Sequence, residues 1–223
     1  MSTTDGLPQG EIWVRGPSVT KGYFNRPDLN DDTSIFSTSP SSDSEYHWFH
    51  TGDIGQWNAD GTLSIIDRLK NLVKLSGGEY IALERLEAIY KSCDLVANLC
   101  VYATGDMQQP IAIIYPHESN LRHALSSNNG KKNDELAKLC KDQDVRKLVL
   151  KECNALAKKN GFARMETLSD VILSSEEWTP KNGLVTAAQK LNRAKIGEAF
   201  KDEIKVCFFT LFSCDLRLLI YPV

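Results

Sequence analysis

The apolar positions of this chain recur every second residue near its start and every third or fourth residue later, the periods of strands and helices respectively. Between Gly10 and Gly16, Ile12 and Val14 alternate with Trp13 and Arg15, which predicts a short strand. Pro17 and Gly22 punctuate a loop, and Asn25-Arg26-Pro27-Asp28 predicts a turn. Ser37 to Ser44 is rich in Ser, Thr and Pro and predicts an exposed loop. Trp48 and Phe49 then predict a return to buried surroundings just before His50-Thr51-Gly52-Asp53. Asn58-Ala59-Asp60-Gly61 is a turn signal with a strand, Thr62 to Ile66, behind it, so a hairpin is expected around Asp60-Gly61.

Beyond Asp67-Arg68-Leu69-Lys70 the pattern changes. The apolar run Leu72-Val73-Lys74-Leu75 ends in a Gly77-Gly78 turn, and Leu83, Leu86, Ile89 and Tyr90 fall at helical spacing. Leu95 to Ala103 and Pro110 to Tyr115 read as strands joined by a turn over Gly105 to Gln109, and Asn128 to Lys132 reads as a loop. Val145, Leu148, Val149, Cys153 and Leu156 mark an amphipathic helix. Leu168 to Leu173 is a further strand, Thr179 to Gly183 a turn, and Ile196, Phe200 and Ile204 a last helix. No internal repeat is visible. The pattern predicts a mixed α/β chain: a β-rich part over 1–66, a smaller α+β domain over 67–205, and an apolar tail over 206–223.

Composition narrows the function classes. A hydrophobic fraction of 42% and a charged fraction of 25% over 223 residues suit a soluble globular chain with a real core. A net charge of −3 offers no basic surface for phosphate backbones, which argues against a nucleic-acid partner. The six cysteines form no C-x-x-C pair and suit neither a zinc site nor a disulfide scaffold, so they are expected as structural thiols in an intracellular, reducing compartment, with no metal site. Met1 to Gln9 lacks the apolar run of a signal peptide. Asp215 and Arg217 interrupt the apolar end, so no membrane span is expected.

Singly, the chemical motifs are weak. Thr51-Gly52-Asp53 reads as a turn, Asp67-Arg68 as a surface ion pair, and Lys190 as a solvated helix lysine. In order they are more specific. GEIWVRGPSVTKGYFNRP, WFHTGD, IIDRLKNLVKLSGGEYIALERLE and NGLVTAAQKLNR resemble consecutive signature blocks of the adenylate-forming enzyme superfamily. That superfamily includes acyl-CoA synthetases, beetle luciferases and peptide-synthetase adenylation domains. The resemblance runs from about Gly10 to Ile204, and the wording of the last two blocks is similar to the eukaryotic long-chain fatty acyl-CoA synthetases.

The resemblance implies the end of a large AMP-binding domain followed by a small, mobile C-terminal domain. It implies a two-step ligase: a long-chain fatty acid attacks ATP, accompanied by Mg2+, to give an acyl-adenylate, and coenzyme A then displaces AMP. It assigns Asp53, with Thr51 beside it, to the ribose hydroxyls and Arg68 to the ribose or phosphate side. Lys70 matches the hinge about which the small domain turns. Lys74, Gly77 and Gly78 match the loop facing the site during thioester formation, although Lys74 fits equally well as a strand-edge lysine. Lys190 matches the lysine that meets the α-phosphate and the attacking carboxylate in the first step.

The chain also departs from the family. The family's glycine-rich phosphate loop precedes the first of these blocks and has no counterpart between Met1 and Gly22, so the chain by itself is expected to be inactive in adenylation. CFFTLFSCDLRLLIYPV replaces the family's short polar end and fits a gene-model artefact better than a membrane-contacting patch. Two other readings remain open: a non-catalytic interaction or regulatory piece, and an adenylating enzyme for another carboxylic acid. Attachment to endoplasmic reticulum, lipid droplet or peroxisome membranes is compatible with the family.

Overall fold

A computed structural model describes residues 8–37, 47–125 and 134–207. They divide into two compact units, one ending at Leu72 and one beginning at Val73. The expected loops over 38–44 and 128–132, the amino-terminal residues 1–7, Cys214 and the tail beyond Cys207 lie outside the described residues.

The first unit contains β1 (Gln9–Val14), a helical turn α1 (Pro27–Asn30), β2 (Phe36–Ser37), β3 (Trp48–Trp57) and β4 (Leu63–Arg68). The long β3 organises the sheet. It pairs antiparallel with β1 along one edge, and with β2 and then β4 along the other. The β3–β4 hairpin forms where Asp60-Gly61 placed it. Gly61 takes φ +83°, its N–H donates to Asn58 O at 3.0 Å, and the Asp60 carboxylate accepts from the Thr62 N–H and hydroxyl.

Three local expectations are corrected. Asn25 to Asp28 opens α1 rather than a plain turn, with Pro27 in the first helical turn and Arg26 paired to Asp28. Ser37, expected in a loop, is paired with Trp48 in the sheet. Trp48 and Phe49 are only half-buried. The reason for the last is architectural: a single sheet has two faces, and Ile54 is the sole fully buried apolar side chain of this unit among the described residues. Trp13, Val14, Trp57, Leu63 and Ile65 stay exposed.

In the second unit β5 (Leu72–Lys74) and β6 (Tyr80–Ala82) form a hairpin, followed by α2 (Leu83–Tyr90). Next come β7 (Val96–Tyr102), β8 (Ile111–Pro116), α3 (Glu118–Ala124), α4 (Leu136–Lys141), α5 (Gln143–Lys159), β9 (Asp170–Leu173) and α6 (Arg193–Ala199). β7 and β8 are antiparallel, and β9 joins β8 in parallel. Leu86 and Tyr90 of α2, Leu99 and Val101 of β7, Ile111 to Ile114 of β8, and Val145, Val149 and Cys153 of α5 close a continuous core. The whole run Ile111 to Ile114 is buried because β8 lies at the centre of the sheet and is covered on both faces. Asp142 caps α5 by accepting the N–H groups of Asp144 and Val145.

The last expected helix is broken. α6 stops at Phe200, which leaves helical geometry at φ −109° and ψ +20°, and a second helical run occupies 201–207. Five described cysteines, Cys93, Cys100, Cys140, Cys153 and Cys207, are free and buried, as hydrophobe-like thiols should be. Among the described residues no helix is long and apolar enough to cross a membrane.

Candidate functional site

The Thr51-Gly52-Asp53 segment is a bulge with a defined construction. Trp13 on β1 faces His50 and Glu11 faces Ile54, so Ile12 alone stands opposite Thr51, Gly52 and Asp53. The surplus residues must leave the ladder, and Gly52 makes the reversal at φ +72°, where a side chain would be strained. The Thr51 hydroxyl donates to Ile12 O at 2.8 Å and accepts the Asp53 N–H at 3.0 Å. Glu11 supplies the remaining support: Oε1 accepts the Gly52 N–H at 3.1 Å and Oε2 accepts the Trp13 indole N–H at 2.7 Å. Thr51 is needed for two bonds and Gly52 for an angle, whereas Asp53 enters the bulge through its backbone N–H.

That bulge presents Asp53 with its carboxylate about one-third exposed (34%). Arg68 is its cross-strand partner on β4, with Nε 3.4 Å from Oδ1. Next to Arg68, Asp67 is buried, and its Oδ1 accepts from the Arg68 N–H at 2.6 Å and from Asn71 Nδ2 at 3.1 Å. Asp67 and Asn71 therefore shape the chain as it leaves β4 and enters the 3-10 turn Leu69–Asn71, in which Lys70 is exposed. Asp53, Thr51 and Arg68 are thus brought together within the first unit. Glu11, Asp67 and Asn71 support them and were not anticipated; the short G-E-I-W spacing to the bulge carries no recognisable signal for Glu11.

In the second unit Lys74 ends β5, with its ammonium 5.9 Å from the Tyr80 ring centre on the partner strand. Gly77 and Gly78 form the exposed tip of that hairpin, and Gly78 takes φ +91°. Lys190 is not on a helix. It lies on a second, small hairpin closed by the Val185–Leu191 bridge, with Thr186 holding both of its backbone groups: the Thr186 N–H donates to Lys190 O at 2.8 Å, and the Thr186 hydroxyl accepts the Lys190 N–H at 3.2 Å. Gln189 precedes it at φ +58°. The Lys190 side chain is exposed.

An ion pair with a buried carboxylate, absent from the sequence reading, ends this hairpin. Arg193, the first residue of α6, forks onto Glu87 of α2 with Nη1–Oε1 at 2.6 Å and Nη2–Oε2 at 2.8 Å. Glu87 also accepts the Val101 N–H at 2.8 Å, and its side chain is 6% exposed.

No family profile matches the chain. Long-chain-fatty-acid–CoA ligase 1 of Schizosaccharomyces pombe is 45% identical over 202 residues, covering 90% of this chain and 29% of the relative. Long-chain-fatty-acid–CoA ligase 3 of Saccharomyces cerevisiae is 40% identical over 198 residues, covering 88% and 27%. The chain thus spans less than a third of the length of these curated relatives. Among solved structures, the A domain of carboxylic acid reductase from Segniliparus rugosus, in complex with AMP and a co-purified carboxylic acid, superposes with a TM-score of 0.72 at 25% identity, covering 94% of this chain and 30% of that one. O-succinylbenzoate coenzyme A synthetase from Bacillus subtilis, in complex with AMP, shares the fold at a TM-score of 0.52 and 24% identity, covering 84% and 30%. This chain is a homologue of one part of the eukaryotic long-chain fatty-acid–CoA ligases, built on the adenylate-forming fold.

Proposed function

We propose that this chain carries the ribose-gripping and domain-alternating residues of a long-chain fatty acid–CoA ligase, and that it works as part of a complete enzyme. The observation that carries the reading is the bulge that fixes Asp53 beside Arg68. A carboxylate accepts two O–H donors at once, which suits the vicinal hydroxyls of a nucleotide ribose. Thr51 and Gly52 hold the backbone so that this acceptor need not reorganise on binding. Arg68, half-exposed at the edge of the same ladder, offers a permanent charge for the ribose or the phosphate side of the adenylate.

The remaining assignments follow the chemistry of a two-step activation. A fatty carboxylate becomes electrophilic only when its oxygen joins a good leaving group, so it first attacks the α-phosphate of ATP and expels pyrophosphate. Lys190, exposed on its hairpin, meets the charge developing between carboxylate and phosphate. The thiol of coenzyme A then attacks the acyl-adenylate and AMP departs. Lys74 and the Gly77-Gly78 tip serve that second step, and Lys70 takes up the backbone rotation between the two. Magnesium enters as part of the nucleotide substrate. Contact with an intracellular membrane surface, of endoplasmic reticulum, lipid droplet or peroxisome, suits an apolar substrate.

The test is a complete ligase in which this chain replaces the matched residues of the S. pombe relative. ATP–pyrophosphate exchange reports the first half-reaction, and thioester yield from supplied palmitoyl-adenylate reports the second. Asp53→Ala should weaken AMP binding, and Lys190→Ala should cripple exchange, leaving a measurable residual rate, while largely sparing the second half-reaction. Wild-type AMP affinity in Asp53→Ala sinks the reading. The 223-residue chain assayed alone is expected to show no exchange, because it holds no glycine-rich loop to cradle the triphosphate.

A further inference from the structure

We propose that Glu87 and Arg193 form a positioning pair that sets Lys190 for adenylation; the inference rests on the reading of Lys190 given above. Lys190 is carried by the small hairpin closed at Val185–Leu191. Its tip, 186–190, is exposed among the described residues, so side-chain packing is not what holds Lys190. What fixes it is the backbone. Thr186 grips the Lys190 N–H and C=O, and at the base Leu184 and Val185 are buried while the Asn192 N–H donates to Leu184 O at 2.9 Å. Asn192 then caps α6 by accepting the Lys195 N–H.

The next residue is Arg193, three positions from Lys190, and it sits where this segment passes from the exposed hairpin tip toward the buried Ile196 of α6. Nη1 donates to Oε1 and Nη2 to Oε2 of Glu87, and Nη1 also approaches Val101 O at 3.4 Å. Glu87 belongs to α2 and takes the Val101 N–H from β7, so the pair ties the start of α6 to a helix and a strand together. Burying the Glu87 carboxylate against a partly exposed Arg193 is a poor way to gain stability, since well-packed apolar side chains do as well or better. A two-pronged bond between planar groups does something an apolar contact cannot: it fixes direction as well as distance. The segment that leaves this anchor is bonded back into the hairpin on both sides of Leu191, by the Asn192 N–H to Leu184 O and by the two Thr186–Lys190 bonds. A tilt at Arg193 is therefore transmitted to the lysine.

The experiment uses the complete ligase described above, with Arg193→Met, Glu87→Gln, Lys190→Ala and the double variant Lys190→Ala with Arg193→Met. A misplaced group loses rate, so the kcat of ATP–pyrophosphate exchange should fall by about 10- to 100-fold in Arg193→Met, with the KM values for ATP and palmitate within about threefold. Thioester formation from supplied palmitoyl-adenylate should change by less than about threefold, and Arg193→Met should cost no further activity once Lys190 is already Ala, as coupled residues require. Arg193→Lys, which keeps the charge and loses the fork, should restore part of the exchange rate, and it decides the matter if Arg193→Met fails to fold. Equal loss in both half-reactions overturns the proposal, as does an Arg193→Met effect that persists undiminished in the Lys190→Ala background. Undiminished exchange in Lys190→Ala itself overturns the underlying assignment of that lysine, a result distinct from either.

Discussion

Asp53 and Arg68 stand directly opposite each other on β3 and β4, with the guanidinium Nε 3.4 Å from the carboxylate. Arg68 is 60% exposed and the contact is long, so the pair contributes well under about 1 kcal/mol to stability. Under the proposed role the two side chains are placed for a shared ligand rather than for each other. Asp53→Asn should therefore leave thermal unfolding nearly unchanged. In the complete ligase it should weaken AMP binding by about 1.5–3 kcal/mol, the worth of hydrogen bonds to a charged group. Calorimetric titration with AMP measures the loss, and a destabilised Asp53→Asn with intact affinity would reverse the assignment from binding to structure.

Gly52 and Gly55, three residues apart on β3, should respond to alanine for different reasons. Gly52 has open space where a Cβ would sit but a φ of +72°, so Gly52→Ala carries backbone strain of about 1–2 kcal/mol. Gly55 has ordinary backbone, yet a Cβ there would lie 2.9 Å from Ile12 Cδ1 and 3.1 Å from Leu63 Cδ1. A spacious second substitution distinguishes them: Gly52→Asn, suited to left-handed backbone, should recover much of the loss, whereas Gly55→Asn should be worse than Gly55→Ala. Chemical denaturation of the four variants gives the order directly.

Much of this was legible in the sequence, for reasons that differ by element. The hairpin at Asp60-Gly61 announces itself because the turn chemistry is local. α5 was legible because a long helix repeats its apolar face. The short elements α3 and α4 carry only Leu121, Leu139 and Cys140 inward, too few positions to establish a period. The break at Phe200 could not be seen, since Ile196, Phe200 and Ile204 keep helical spacing across it. At the site, Thr51, Asp53 and Arg68 were found as motif residues. Glu11 and the Glu87–Arg193 pair were not, because a contact spanning 41 or 106 positions leaves no trace in local spacing.

The described cysteines should separate cleanly in an alkylation experiment. The neighbouring Cys153 thiol holds the Cys93 pKa below the ordinary thiol range, against the opposing effect of burial, and Cys93 borders a surface groove with Asn120, His123 and Glu152. Burial pushes Cys100 up to about 12, and Cys140 and Cys207 to about 11. Iodoacetamide at mild alkaline pH should therefore label Cys93 first among these residues, since the thiolate is the nucleophile. The raised thiols also set a sign for stability. Above the ordinary thiol value of 9.0 the unfolded chain ionises at Cys100 while the folded chain does not, so folding free energy should weaken as pH climbs from there toward 12. Peptide mapping that found Cys100 labelled ahead of Cys93 in the folded protein would contradict the assignment.

Gln189 offers the last test, because it places strain next to Lys190. Its φ of +58° costs a residue with a side chain about 1–2 kcal/mol, whereas glycine adopts that angle freely but loses about 0.5–1 kcal/mol more in chain entropy on folding. The difference favours Gln189→Gly by roughly 0.5 kcal/mol, so the denaturation midpoint should rise slightly. Activity should move the other way. Gln189 donates its N–H to Thr186 O at 2.8 Å, and its restricted backbone helps define the path into Lys190. Glycine widens that path, so ATP–pyrophosphate exchange in the complete ligase should slow even as the protein becomes more stable, the pattern expected where a strained residue serves a site. A Gln189→Val variant, β-branched at a left-handed position, should lose stability by more than about 1 kcal/mol. If glycine instead lowers the midpoint, the angle at Gln189 is unstrained, and the stiffness of the hairpin must come from Thr186 and the Arg193 anchor alone.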